Sequence, residues 1–369
     1  MSWHASVPRS ADDETGTTWK VHRVWFDKKP GDYVLEVRTP GRSGVRGAHL
    51  RNGHYELASP DDPQLPALRA ETQHGELISY RPHRRAVIRA EGRYIKIFRP
   101  GEAIEAAERC AQTDILLDPS AFTVPRILHG SDDILVFSSL PGQTLHELGE
   151  DHSALGDEAF ASAWEKWSRA WIAQLSTPYD TATRNVFATL PLHSPEVEAA
   201  EVWRRLDRWM RHYEHVPELT SRAGALRAAA GEVTRNLLAT APDPLVFAHG
   251  DLHGNQILVG DSRSPLGLLD FDDAAQAEAA LDLAILDVHL ELRLRKNRMA
   301  PERYSTAHAE VIAVAEALQV SPSRFKAYSD AIWLRLACAA LPGRSSVATA
   351  VLGERMCAAS TRANGAAAF

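Results

Sequence analysis

Residues 245–260, LVFAHGDLHGNQILVG, set two histidines, an aspartate, an asparagine and a glutamine between two apolar runs. Polar groups held between strand-like segments must be hydrogen-bonded or meet a ligand, because burying them unpaired costs about 1–3 kcal/mol each. The pattern continues in PLGLLDFDDAAQ, residues 265–276. QILVG reads as a strand, DSRSP as a turn and LGLLDF as the returning strand. Antiparallel return brings Asp251 and the loop amides to the same end of the hairpin as Asp270. A carboxylate free to accept a hydroxyl proton, with an amide and a carboxylate able to hold Mg²⁺, is what phosphoryl transfer requires. His249 and His253 also stand four apart, as in a helical zinc site, but Gly250 takes the place of the glutamate and two glycines disfavour a helix there. The simpler role for His249 is to tie down the loop through hydrogen bonds to backbone.

The rest of the chain divides into a β-rich half and a helical half. WKVHRVWF and DYVLEVRT read as strands, and AHLRNGHYELA as a hairpin closed by Asn-Gly. After the linker-like SPDDPQLP, the runs ELISY, RRAVIRA and RYIKIF predict a three-strand antiparallel meander. PGEAIEAAERCAQTDILL carries helical periodicity, and DDILVFSSLPGQTL is a further strand ended by Pro-Gly. Beyond about residue 150 helices dominate. Trp164, Trp167 and Trp171 recur at helical spacing, which predicts a core-facing stripe.

Composition excludes several classes. With 44% hydrophobic and 24% charged residues the chain resembles an ordinary globular protein. A net charge of −7 argues against a nucleic-acid partner, and the whole deficit falls in residues 143–369. No apolar run approaches the roughly eighteen residues of a membrane span, and the polar start lacks a signal-peptide core. Cys110, Cys338 and Cys357 show no paired spacing, which fits packing roles in a cytoplasmic protein.

HGDLHGNQILV, LLDFDD and the later LDLA together resemble the signature of the aminoglycoside phosphotransferase/choline kinase superfamily. The resemblance implies an α+β, two-lobed protein-kinase-like fold, with a β-rich N-lobe bearing one helix and a larger helical C-lobe carrying the catalytic hairpin. It implies ATP and Mg²⁺ as cofactors and a small-molecule hydroxyl as acceptor: a sugar, amino sugar, aminoglycoside-like antibiotic or amino alcohol. A protein kinase or a non-catalytic nucleotide-binding regulator of the same fold is the alternative. By the same resemblance Asp251 is the catalytic base, Asp270 a metal ligand, Asp282 the anchor of the catalytic loop, and Asp272 either a metal or acceptor contact or a helix N-terminal acid. The metal-binding amide falls on Gln256 in an ungapped match, as in maltokinases, or on Asn255 if the loop is one residue shorter. Lys96 would meet the nucleotide phosphates, oriented by Glu108 or Glu105. The RPHRR segment, Arg84 within it, would cover the nucleotide, and the hinge residues Ser138, Ser139 and Leu140 would meet adenine. No motif marks the acceptor side, where Trp203, Trp209, Tyr213, Asp273, His289 and Glu291 are available.

The expected organisation is a disordered leader over 1–18, a β-rich extension or cap over 19–74, an N-lobe over 75–142 and a helical C-lobe over 143–369.

Overall fold

The computed structural model describes residues 7–13, 15–41, 43–150, 156–213, 216–261, 263–340 and 342–366. The chain opens with β1 (Ser10–Asp12), β2 (Thr18–Phe26), β3 (Tyr33–Arg38), β4 (Arg46–Arg51) and β5 (His54–Leu57), paired in sequence order as one antiparallel sheet. Asn52 and Gly53, at φ 48° and 77°, close the β4–β5 hairpin. Part of the expected leader is ordered. The Asp13 carboxylate accepts from the N–H groups of Thr15 and Thr17 and from Trp19 Nε1, fixing the turn that pairs β1 with β2. Residues 1–6 and 14 lie outside the described residues.

One helical turn, α1 (Leu68–Glu71), leads to the meander of β6 (Glu76–Arg81), β7 (Arg85–Ala90) and β8 (Arg93–Phe98), then α2 (Glu102–Leu116), β9 (Phe122–Thr123), β10 (Ile127–Gly130) and β11 (Ile134–Ser138). The second sheet runs β10-β11-β8-β7-β6, with the meander antiparallel as its alternation predicts.

The helical half comprises β12 (Gln143–Thr144), α3 (Leu145–Glu150), α4 (Asp157–Ser176), α5 (Thr181–Phe187), β13 (Leu192–His193), α6 (Pro195–Tyr213) and α7 (Thr220–Ala239). Next come the short strands β14 (Leu245–Ala248), β15 (Ile257–Val259), β16 (Leu266–Leu268) and β17 (Ala275–Glu278), then α8 (Ala279–Arg295), α9 (Pro301–Ala317), α10 (Pro322–Ala337) and α11 (Pro342–Ala366). Trp164, Trp167 and Trp171 are fully buried on α4, and Trp171 reaches Phe122 and Phe247. The stripe therefore supports the strands that carry the polar loop. Among the described residues no helix is long and apolar enough to cross a membrane.

The N-terminal sheet touches both halves. Toward the second sheet, the Val45 N–H donates to Leu77 O at 2.8 Å and the Tyr80 N–H to the buried Glu36 carboxylate at 2.8 Å. Toward the helices, Val24, Tyr33 and Leu35 share a core with Val202, Leu206 and Trp209 of α6, and the Phe26 ring lies 4.4 Å from His212. Hydrogen bonds on one side and an apolar core on the other thus hold the sheet against both lobes.

Candidate active site

β14 ends in a loop clamped from beneath. The backbone N–H groups of His249 and Gly250 donate to the two oxygens of Asp282, at 2.6 and 2.9 Å, from the first turn of α8. The His249 ring pairs its Nε2 with Leu269 O at 2.8 Å, tying the loop to the hairpin's return strand. Burial raises the Asp282 pKa. Gly250 is required where it stands: its φ is +81°, and a Cβ would fall 2.0 Å from the Asp273 carbonyl oxygen.

This clamp presents Asp251 to solvent. Its side chain is 45% exposed although dense protein surrounds it, and His253 Nε2 lies 3.7 Å away. That surrounding bulk, then the Asp273 carboxylate, push the Asp251 pKa up to about 6, with Asp270 adding to the rise and His249 and Arg335 opposing it. A carboxylate that is open to solvent, hydrogen-bonded to little and basic for its type is suited to take a proton from a hydroxyl.

Across the hairpin, Asp270 adopts a left-handed φ of +65°, rare for a residue with a side chain. Burial would raise its pKa, but the Lys96 ammonium outweighs that and, with Arg85 and His249, holds it well below the usual carboxylate range. Lys96 Nζ lies 2.5 Å from Asp270 Oδ1 and 2.9 and 3.0 Å from the two oxygens of Asp272. The pairing with a helix glutamate expected from sequence is absent. Glu108 is exposed and makes no hydrogen bond or ion pair among the described residues, and Glu105, also exposed, approaches Arg109 at 3.7 Å. Cys110 of α2 lies within the field of Lys96, and burial pushes its thiol up to about 11. Helical phase explains this: α2 turns Ala103, Ala106, Ala107 and Cys110 inward and leaves both glutamates in water.

Gln256 is buried at the start of β15, and its backbone oxygen accepts from the Leu269 N–H at 3.0 Å, one residue from Asp270. Its side-chain amide makes no hydrogen bond among the described residues. Asn255 is exposed, with its N–H on His253 Nδ1 at 3.3 Å. Arg84 is exposed at the β6–β7 turn, and Arg85, not Arg84, reaches Asp272, at 3.1 Å. At the hinge the Ser138 and Ser139 N–H groups donate to Arg126 O and Gly92 O, while the Leu140 N–H has no partner among the described residues.

Of the acceptor-side candidates, Trp209 and Tyr213 are core residues and Glu291 pairs with Arg295 at 2.8 Å. Trp203 packs partly buried against the core around α6. Asp273 is exposed beside Asp251, and the His289 ring stands 5.1 Å from that of His253. Sequence reasoning missed Arg85 and Arg335. Arg85 was within reach of it, because strand alternation puts Arg85, Val87 and Lys96 on one face once Val87 opposes Lys96. Arg335, held at 3.3 Å by the buried Glu198, arrives from α10 and carried no local signal.

The sequence pattern of the phosphotransferase enzyme family matches residues 79–297. No curated protein sequence matches this chain. Among solved structures the chain is similar to a glucosamine kinase at 18% identity, covering 92% of this chain and 94% of that one, with a TM-score of 0.47. It is also similar to a macrolide 2'-phosphotransferase from Brachybacterium faecium (18% identity, 79% and 95% covered, TM-score 0.44). An aminoglycoside-3'-phosphotransferase of type VIII gives 20% identity, 74% and 99% coverage and a TM-score of 0.48. With its β-rich lobe, its helical lobe and a family match over more than half of its length, the chain belongs to the phosphotransferase enzyme family.

Proposed function

We propose that the chain catalyses Mg²⁺- and ATP-dependent transfer of the γ-phosphoryl group to a hydroxyl of a small molecule. The observation that carries this reading is the Asp251 carboxylate, open to solvent, with its pKa raised to about 6 and within the field of Asp270, on which the Lys96 ammonium rests. Asp251 accepts the proton of the acceptor hydroxyl as the oxygen attacks. Lys96 stays protonated, since Asp270 and Asp272 outweigh its burial, and meets the nucleotide phosphates. The Leu140 N–H is the hinge donor left for adenine.

The donor set fits a divalent cation. An ammonium already rests on Asp270, the Asp270 carboxylate stays ionised, and the backbone oxygen of buried Gln256 pairs with the Leu269 N–H next to Asp270 while its side chain makes no hydrogen bond among the described residues. Gln256 and Asp270 would hold Mg²⁺, with Asn255 too exposed to share the same burial and Asp272 engaged by Lys96 and Arg85. When bound, the ion would neutralise phosphate charge. The acceptor class we favour is an amine-bearing alcohol (an amino sugar, aminoglycoside-like antibiotic or amino alcohol), since exposed Asp273 beside Asp251 offers a second acid to an amine.

Phosphorus NMR of the protein with Mg·ATP and a panel of sugars, amino sugars, aminoglycosides and amino alcohols tests the proposal. A new phosphate monoester resonance formed together with ADP is expected. Free phosphate alone, or no change with any acceptor, contradicts it.

A further inference from the structure

We propose that Asp62, in the linker between the N-terminal sheet and α1, is a positioning residue of the nucleotide site: it holds the β6–β7 turn in the shape that sets Arg85 on Asp272. The RPHRR segment of that turn contains no glycine, yet it has one left-handed position, which His83 fills at φ +63°. For a residue with a side chain that conformation is unfavourable by itself and persists only where surrounding groups impose it. Asp62 imposes it. Its Oδ2 accepts from the His83 backbone N–H at 2.7 Å, and its Oδ1 pairs with His83 Nδ1 at 2.9 Å.

Asp62 is itself fixed. The Tyr80 hydroxyl donates to its Oδ2 at 2.9 Å and the Gln64 N–H to its Oδ1 at 3.0 Å. The carboxylate is buried, but these bonds and those from His83 outweigh the burial and keep it ionised. Two further contacts on the turn come from β4. Pro82 packs over Gly47, where a Cβ would lie 2.5 Å from Pro82 Cγ. The His83 ring stacks on the buried His49 ring at 5.2 Å, and His49 Nδ1 in turn accepts from the Arg51 guanidinium at 3.1 Å.

The N-terminal sheet and its linker thus grip Pro82 and His83 from outside the N-lobe. Two residues on, Arg85 opens β7 and reaches Asp272 Oδ2 at 3.1 Å, and Asp272 holds Lys96. Asp62 therefore acts on the Lys96 cluster through the turn, without touching it. A turn fixed before the nucleotide arrives spares binding the cost of ordering it. The clamp stands on the distances above; its role toward nucleotide rests on the phosphotransferase reading.

Calorimetric titration with Mg·ATP and amide hydrogen exchange test the assignment on wild type, Asp62→Asn, Arg85→Gln and the double variant. Asp62→Asn replaces one accepting oxygen by an NH₂ group that faces a donor of His83. Mg·ATP binding at least about fivefold weaker is expected in Asp62→Asn, with the double variant within about twofold of Arg85→Gln alone, because both changes act on one contact. Exchange of the His83 N–H should accelerate at least about tenfold, while that of Val45, bonded to Leu77 O between the same two sheets, stays within about twofold. Should Asp62→Asn not fold, His83→Asn replaces it: asparagine tolerates the left-handed φ, loses the ring's bond to Asp62, and is expected to weaken Mg·ATP binding at least about threefold. Unchanged Mg·ATP affinity, weakening that multiplies in the double variant, or Val45 exchange rising together with that of His83 overturns the proposal. A wild type that does not bind Mg·ATP overturns the phosphotransferase reading and the nucleotide role with it, and the exchange comparison then decides separately whether Asp62 holds the turn.

Discussion

Lys96 is oriented by Asp272, whose two oxygens lie 2.9 and 3.0 Å from its Nζ, and not by the glutamates of the neighbouring helix. Asp272→Asn removes one of the two carboxylate charges on the ammonium, the other being Asp270 at 2.5 Å, and is expected to lower kcat/KM for ATP at least about tenfold. Glu108→Gln, altering an exposed side chain without partners among the described residues, is expected to change it by less than about twofold. Steady-state kinetics of both variants check this. The reverse ranking would return the orienting role to the helix.

The raised pKa of Asp251 has a direct kinetic consequence. A general base works only when ionised, so kcat/KM should rise with pH and level off above about 6. Asp273 contributes to the rise by repulsion, so Asp273→Asn should move this acidic limb to lower pH. A pH–rate profile of both proteins measures the displacement, and an unmoved limb would show that the two carboxylates do not interact.

The same shift makes Asp251 a stability cost. Its pKa is higher folded than unfolded, so the ionised side chain opposes folding above pH 6, and the penalty fades as pH falls toward the unfolded value near 4. Because water reaches the carboxylate, the effect is screened to about 1 kcal/mol. Asp251→Asn should therefore melt at or above the wild-type temperature at pH 8 and match it at pH 4. Thermal melts at the two pH values settle the sign.

Gly250 is the tightest backbone position of the catalytic loop. Gly250→Ala meets both a left-handed φ of +81° and a carbonyl oxygen 2.0 Å from the new Cβ. A destabilisation of roughly 1–3 kcal/mol from the backbone alone is expected, with loss of activity as Asp251 shifts. Chemical denaturation and turnover measured together check it; a wild-type midpoint would mean that the loop has room to move.

The parts of this fold that rest on short-range periodicity were legible before any coordinates. The β6–β7–β8 meander follows from alternation, the α2 helix from its spacing, and the tryptophan stripe of α4 from its 3.6-residue phase. Gln256 and Asp270 flank the β15–β16 hairpin, and Asp251 lies on the loop from β14 that leads into it, so their nearness in sequence was legible. What escaped depends on rotation or long-range packing. The phase of α2 decides that Cys110 and not Glu108 looks toward Lys96, and the charge of Arg335 acts on Asp251 from a helix more than eighty positions later in the chain. The supposed leader was missed because Asp13, by bonding three N–H donors, makes a polar segment into a strand turn.

The central claim is that Asp251 activates an acceptor hydroxyl for attack on ATP. Acceptor-dependent ADP release by wild type and Asp251→Asn, with Mg·ATP affinity measured on both, tests it most directly. The account predicts that the variant binds Mg·ATP within a few-fold of wild type and loses about 100-fold or more of acceptor-dependent turnover. Turnover retained within about tenfold in a variant that still binds nucleotide would contradict the assignment of Asp251 as the base.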